Sequence, residues 1–132
     1  MKKTVLDVGN CDPDHAALSQ MLTRRYDVHV LRTHALQDTL ETLKATPVDL
    51  VLINRKLDID YSDGVEILKV IKQQPSTRSI PVMIITNYAE HQESAVRAGA
   101  EYGFGKLQYG ELATHQRLEK FLDAQQTNNM SG

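Results

Sequence analysis

A single cysteine, Cys11, excludes an internal disulfide and leaves no cysteine cluster for structural zinc. Long hydrophobic runs are missing too. Stretches such as Leu50 to Ile53 and Val82 to Ile85 fall far short of the ~20 apolar residues that span a bilayer. The opening Met1-Lys2-Lys3-Thr4 reaches Asp7 after a few apolar residues, without the longer hydrophobic segment of a signal peptide. Charge of one sign is also scarce. The formal net charge is −2 with acids and bases interspersed, so no basic stripe points to nucleic acid and no polybasic run to a membrane surface. A Gly-rich phosphate loop and a recognisable nucleophile–base pair are both absent, which argues against an enzyme. His15, His29, His34, His91 and His115 are scattered, without metal-ligand spacing. The expectation is a cytoplasmic protein without catalytic activity, metal or cofactor.

What is present is alternation. The 132 residues suit one domain, and 41% hydrophobic with 24% charged residues is an ordinary globular mix. Thr4 to Val8 reads as a strand, and Asp12-Pro13 as a helix start with Asp12 as N-cap and proline just inside. Ala17, Leu18, Met21 and Leu22 stripe that helix. Asp27 to Leu31 is a second strand, and Leu36, Leu40 and Leu43 stripe a second helix. Asp49 to Asn54 is continuously apolar in its centre, as in a strand covered on both faces of a parallel sheet. Val65, Leu68 and Ile71 stripe a third helix, with Asp63 and Glu66 at capping-box spacing. Ile80 to Thr86 is a fourth strand. Asn87 and Glu90 repeat the capping spacing before a helix whose Ala95, Val96 and Ala98 face inward. Tyr102 to Lys106 is a short fifth strand, and Leu112, Leu118, Phe121 and Leu122 belong to the last helix. Five strands alternating with five helices predict an α/β fold with a parallel sheet, right-handed crossovers and helices on both faces. Residues 1–125 form this domain, and 126–132 read as a flexible polar tail.

Open parallel sheets bind ligands beyond the carboxyl ends of their strands, at the switch point in strand order. There the pattern delivers Gly9, Asn10, Cys11 and Asp12, then Asn54 to Asp58, then Thr86 and Asn87, and finally Lys106. The ordered segments Asp12-Pro13-Asp14-His15, Asp49 to Ile53, Asp63-Gly64, Ile80 to Thr86 and Ala98-Gly99-Ala100 resemble the receiver domain of response regulators (the CheY-like family) from Thr4 to about Ala124. That resemblance implies a flavodoxin-like, doubly wound (βα)5 fold with a five-stranded sheet of order 2-1-3-4-5. It also implies a two-component or phosphorelay signalling role. In the family, acids after strand one hold magnesium, an Asp ending strand three accepts phosphate, and a Thr or Ser with a Lys contacts the phosphoryl group.

Carried over by position, Thr86 and Lys106 match the hydroxyl and the lysine, while Asn54 stands at the phosphoacceptor. Asn10 and Cys11 stand at the acidic pair; a register one residue earlier makes them Gly9 and Asn10, and neither supplies a carboxylate. The usual proline four residues after the acceptor is Asp58, and the Asp-Gly that follows comes two residues late, at Asp63-Gly64. The proline after the lysine is Leu107, and the aromatic three residues before it is Gly103. An amide nitrogen delocalised into its carbonyl is a poor nucleophile, and magnesium needs carboxylate or phosphate oxygens. The expected protein is therefore a pseudo-receiver acting through phosphorylation-independent protein–protein interaction. Its partner would be a signalling protein or a second copy, docking on the Glu90 to Asp123 face.

Alternatives stand beside this reading. A displaced acid, Asp58, Asp60 or Asp12, would accept phosphate in a working receiver, and a flavodoxin-like ligand-binding protein would show flavin colour. Lys106 either binds a small anion, pairs with Asp58, or serves as a structural ion-pair lysine. The run Asp58 to Gly64 imitates a calcium loop, but Asp63 and Lys69 stand where glycine and glutamate are needed. Cys11 is read as a small filler or a redox-sensitive thiol at a helix start. Asp7, in the middle of an apolar strand, requires a partner that the sequence does not name.

Overall fold

The computed structural model describes residues 2–125, so the polar run expected as a tail lies outside the described residues. In chain order the elements are β1 (Lys3–Val8), α1 (Asp12–Arg25), β2 (Val28–Thr33), α2 (Leu36–Ala45), β3 (Leu50–Asn54), α3 (Val65–Gln73), β4 (Val82–Ile85), α4 (Ala89–Arg97), β5 (Glu101–Phe104) and α5 (Leu112–Leu118). The five strands form one parallel sheet of order β2-β1-β3-β4-β5. This is the doubly wound, flavodoxin-like arrangement. The central strands are covered on both faces, as their unbroken apolar runs require. One core cluster gathers Leu6, Val51, Ile53, Leu68, Ile71 and Ile84, and the other Val5, Leu18, Leu22, Leu52, Phe104 and Leu118. Each such side chain, fully removed from water, contributes roughly 1.5–3 kcal/mol.

Several element ends differ from expectation for local reasons. Cys11, not Asp12, is the extended N-cap of α1, because its carbonyl already accepts from His15 N–H at 2.8 Å. Asn87 does not cap α4; its Oδ1 accepts from Leu107 N–H, and Tyr88 precedes the helix instead. At α3, Asp63 Oδ1 does take the Val65 N–H, but Gly64 is the N-cap residue. Ala17 and Val96 face solvent rather than core. The last helix stops at Leu118, and the chain turns so that Asp123 C=O accepts from Asp27 N–H beside β2. Leu122 is buried after that turn, without being helical. β5 ends at Phe104, and Lys106 opens a 3-10 turn over Lys106–Gln108.

The β4–β5 ladder is irregular between Met83 and Ile85, and a side chain repairs it. Gln92 of α4, 2% exposed, donates its amide to Ile84 C=O at 2.9 Å and to Thr86 C=O at 3.2 Å. Its Oε1 accepts from Gly103 N–H at 2.8 Å. Gly103 C=O accepts from Arg117, whose guanidinium lies 4.5 Å from the centre of the Tyr102 ring. A Cβ at position 103 would stand 2.7 Å from the Ile84 carbonyl oxygen, so glycine is required by this close approach. Replacing Gln92 by Leu strands buried backbone groups on both strands, and urea unfolding should register a loss of about 2–4 kcal/mol.

A second bridge ties α1 to α5. Tyr26 Oη and His115 Nδ1 are 2.6 Å apart, and His115 Nε2 is 2.6 Å from Tyr109 C=O. A carbonyl only accepts, so Nε2 carries the proton and Nδ1 accepts from the phenol. Burial first, then the Glu119 carboxylate, pushes the Tyr26 hydroxyl from its ordinary 10.0 to about 12, against a lowering by Arg25. A phenol harder to ionise in the folded state stabilises fully below the unfolded value and loses that contribution as pH rises through the folded one. Thermal melts between pH 9 and 12 should therefore show an alkaline loss that Tyr26→Phe lacks.

Candidate functional site

The carboxyl ends of β1, β3, β4 and β5 bring Asn10, Cys11, Asn54, Thr86 and Lys106 to one edge of the sheet, and the geometry separates their tasks. Asn54, at the end of β3, folds its amide back on its own loop and donates to Lys56 C=O at 2.7 Å. Gly64 makes this loop possible: its N–H donates to Arg55 C=O at 2.7 Å, and any Cβ there would collide with the Asn54 carbonyl. Thr86 is 8% exposed, its Oγ1 accepting from Tyr88 N–H at 3.3 Å and lying 3.4 Å from His91 Nδ1.

Lys106 does not pair with Asp58. Its ammonium meets Asp14 of α1 at 2.6 Å, whereas Asp58 is exposed and engaged through its backbone N–H with Gly9 C=O. The reason is position: the 3-10 turn after β5 carries Lys106 toward the start of α1, one helical residue beyond Pro13. The Lys106 hydrogen bond, with a smaller contribution from the Cys11 thiol, holds the Asp14 carboxyl below its ordinary range against the opposing effect of burial. Both partners are partly solvated, so the pair is worth at most about 1 kcal/mol.

A carboxylate stands in β1, three residues before Asn10. Asp7 is fully buried, and its Oδ1 accepts from Asn10 Nδ2 at 2.6 Å while its Oδ2 meets His15 Nδ1 at 2.7 Å. Asp7 thus has the partners that a buried carboxylate needs. A cation also belongs to this end of the sheet. Arg32 of β2 donates to Asn10 C=O at 3.0 Å and to Asp12 at 2.7 Å. That hydrogen bond and the guanidinium charge lower Asp12, which lies at the surface. Burial, then the charges of Asp7 and Asp14, raise the nearby Tyr109 hydroxyl well above its usual range. Sequence reasoning missed Asp14, His15 and Arg32 as members of this cluster. The only signal was Asp7 itself, a carboxylate that had to have a partner.

A divalent cation fits these residues poorly. Asp7 has both oxygens engaged, Asp12 and Asp14 are paired with Arg32 and Lys106, and the remaining donors are amides and a thiol. Among the described residues no three His, Cys, Asp or Glu side chains converge as metal ligands. Magnesium demands carboxylate or phosphate oxygens in near-octahedral geometry, and the guanidinium already occupies the cationic role.

Comparison with known proteins agrees with the fold. The model of the response regulator receiver domain matches residues 11–123, and the chain belongs to that family. A probable cyclic di-GMP phosphodiesterase of Vibrio cholerae is 30% identical over 100 residues, which is 76% of this chain and 21% of that protein. The chain therefore spans about a fifth of the length of this curated relative. A putative response regulator from Chloroflexus aurantiacus superposes with a TM-score of 0.78 at 18% identity, over 92% of this chain and 98% of the other. The N-terminal domain of a response regulator receiver protein from Methanoculleus marisnigri gives 0.66 at 28% identity, over 89% and 91%. No helix among the described residues is long and apolar enough to cross a membrane.

The Asp7–Asn10 contact makes a sharp test. Asn10→Asp, which would restore an acid of the family pattern, places two buried carboxylates 2.6 Å apart, where both cannot ionise. Urea unfolding at pH 7.5 should show a loss of about 2–4 kcal/mol, partly recovered in the exchanged variant Asp7→Asn with Asn10→Asp.

Proposed function

We propose that this receiver domain is a pseudo-receiver, a signalling module that works by protein–protein contact and does not take up phosphate at the end of β3. The observation that carries the reading is the amide at position 54, hydrogen-bonded into its own loop, where the family places its nucleophilic carboxylate. Three further features support it. Asn10 and Cys11 supply no charge for magnesium, Arg32 and Lys106 pair with Asp12 and Asp14, and Gly103 offers no aromatic side chain to reorient. Thr86 and Lys106 are retained from the family pattern, but with Lys106 engaged by Asp14 they are assigned a structural task. Asp58 and Asp12 are the secondary acids a displaced phosphorylation would use; Asp12 is bound to Arg32, and Asp58 lies beyond the strand end.

Partner contact is assigned to the Glu90 to Asp123 face, which exposes Val96 and Tyr102 together with Leu107 and Leu112. The occupant is a signalling protein or a second copy of the chain, in the cytoplasm. No catalytic role is assigned to any residue.

Intact mass after incubation with acetyl phosphate and magnesium is the direct test, run beside Asn54→Asp. The native protein should gain no phosphoryl adduct, and neither should the single variant, since the charge for magnesium is still missing. A labile, metal-dependent adduct on the native chain would sink the reading and direct mutagenesis to Asp58, Asp60 and Asp12.

A further inference from the structure

Between the β3–α3 loop and α4 lie two adjoining cavities, of about 460 Å³ and about 250 Å³. Arg55 lines both. On the opposite side the two are joined by Tyr88 and His91, which lie edge to face with ring centres 5.5 Å apart at 82°. They are therefore two lobes of one groove, with a size within the ~300–1,000 Å³ typical of small-molecule sites.

The lobes differ in chemistry. The smaller is walled by Ile85 and by Tyr88, whose side chain is 62% exposed, with Lys56 at its mouth. The larger is lined by Arg55, Lys69 and Arg97, along with the acids Asp63 and Glu66. These acids are not idle: Glu66 pairs with Lys69 at 3.2 Å, and Asp63 accepts from Val65 N–H at 2.9 Å. Lys106, on the smaller lobe, is held by Asp14. Arg55, Lys56 and Arg97 have no carboxylate partner among the described residues. Three uncommitted cations around a groove, two of them guanidinium groups, favour an anion with several charges and enough oxygens to pair with both guanidinium groups, which a di- or triphosphate has and a single carboxylate lacks. The exposed Tyr88 ring beside Arg55, with the amides of Asn54 and Asn87 and the Thr86 hydroxyl around the same lobe, favours a planar, hydrogen-bonding ring attached to that anion.

We propose that this groove binds a nucleoside di- or triphosphate, with its base against Tyr88 in the smaller lobe and its phosphates between Arg55 and Arg97 in the larger. The assignment goes beyond the signalling role argued above and does not depend on it: loss of nucleotide binding would leave the question of phosphorylation where the mass measurement puts it.

Isothermal titration of the full chain with ATP, GTP and inorganic pyrophosphate provides the test. The nucleotides should bind more tightly than pyrophosphate. Arg55→Ala and Arg97→Ala should each weaken nucleotide binding by about tenfold or more. Tyr88→Ala should weaken the nucleotides while leaving pyrophosphate unchanged, and Arg24→Ala, on α1, should change nothing. All four side chains lie at or near the surface, and circular dichroism of each variant should match the native protein. Equal affinity for pyrophosphate and nucleotides, insensitive to Tyr88, would overturn the base seat and with it the nucleoside assignment. Equal weakening by Arg24→Ala would reduce the effect to general charge attraction and overturn the site, as would the absence of binding to all three probes.

Discussion

A carboxylate buried in the middle of the sheet constrains everything around the carboxyl end of β1. Asp7 sits among Val5, Leu6 and Val8, all inaccessible to water, so its charge has to be met from within the protein. Asn10 and His15 meet it directly, and both are placed by the turn from β1 into α1. Because Asn10 faces a carboxylate, position 10 has to donate, and a second acid there would oppose the first. The carboxyl end of β1 thus holds one network in which Asp7 supplies the buried negative charge and Arg32 a cation.

The same economy of charge governs the far side of the crevice. In the family pattern a lysine faces acids that hold a metal and a phosphoryl group. Here Lys106 has one acid, Asp14, on the first turn of α1, and that contact closes β5 onto α1 rather than leaving a cation free at the mouth. Uncommitted positive charge is displaced toward Arg55, Lys56 and Arg97, around the groove between α3 and α4. The cations Arg55, Lys56 and Arg97 are the basis of the nucleotide proposal made above.

Switching is constrained by a different device. Receiver domains of the usual pattern couple the crevice to their outer face through an aromatic side chain on strand five. In this chain Gln92 reaches from α4 into the space beside Gly103 and joins β4 to β5 through three hydrogen bonds. Such a bridge carries no rotating group, and it holds α4 against the sheet. Gln92 thereby ties α4 to both strands beneath the face that α4, β5 and α5 build.

How much of this was legible beforehand follows from what sequence encodes locally. The alternation of apolar runs with helical stripes, together with the ordered motifs from Asp12-Pro13 to Ala98-Gly99-Ala100, determined the doubly wound sheet, because hydrophobic period and turn chemistry act over a few residues. The identities at positions 10, 11 and 54 likewise settled that no carboxylate stands there. The pairings were decided only in three dimensions. Asp7 with His15 and Lys106 with Asp14 across 92 residues join side chains, and Arg32 with the Asn10 carbonyl and Gln92 with the Gly103 N–H join side chain to backbone, at no characteristic spacing in the sequence. Each depends on how helices dock on the sheet, and a charged or amide side chain with several reachable partners takes the one that packing brings within hydrogen-bond distance.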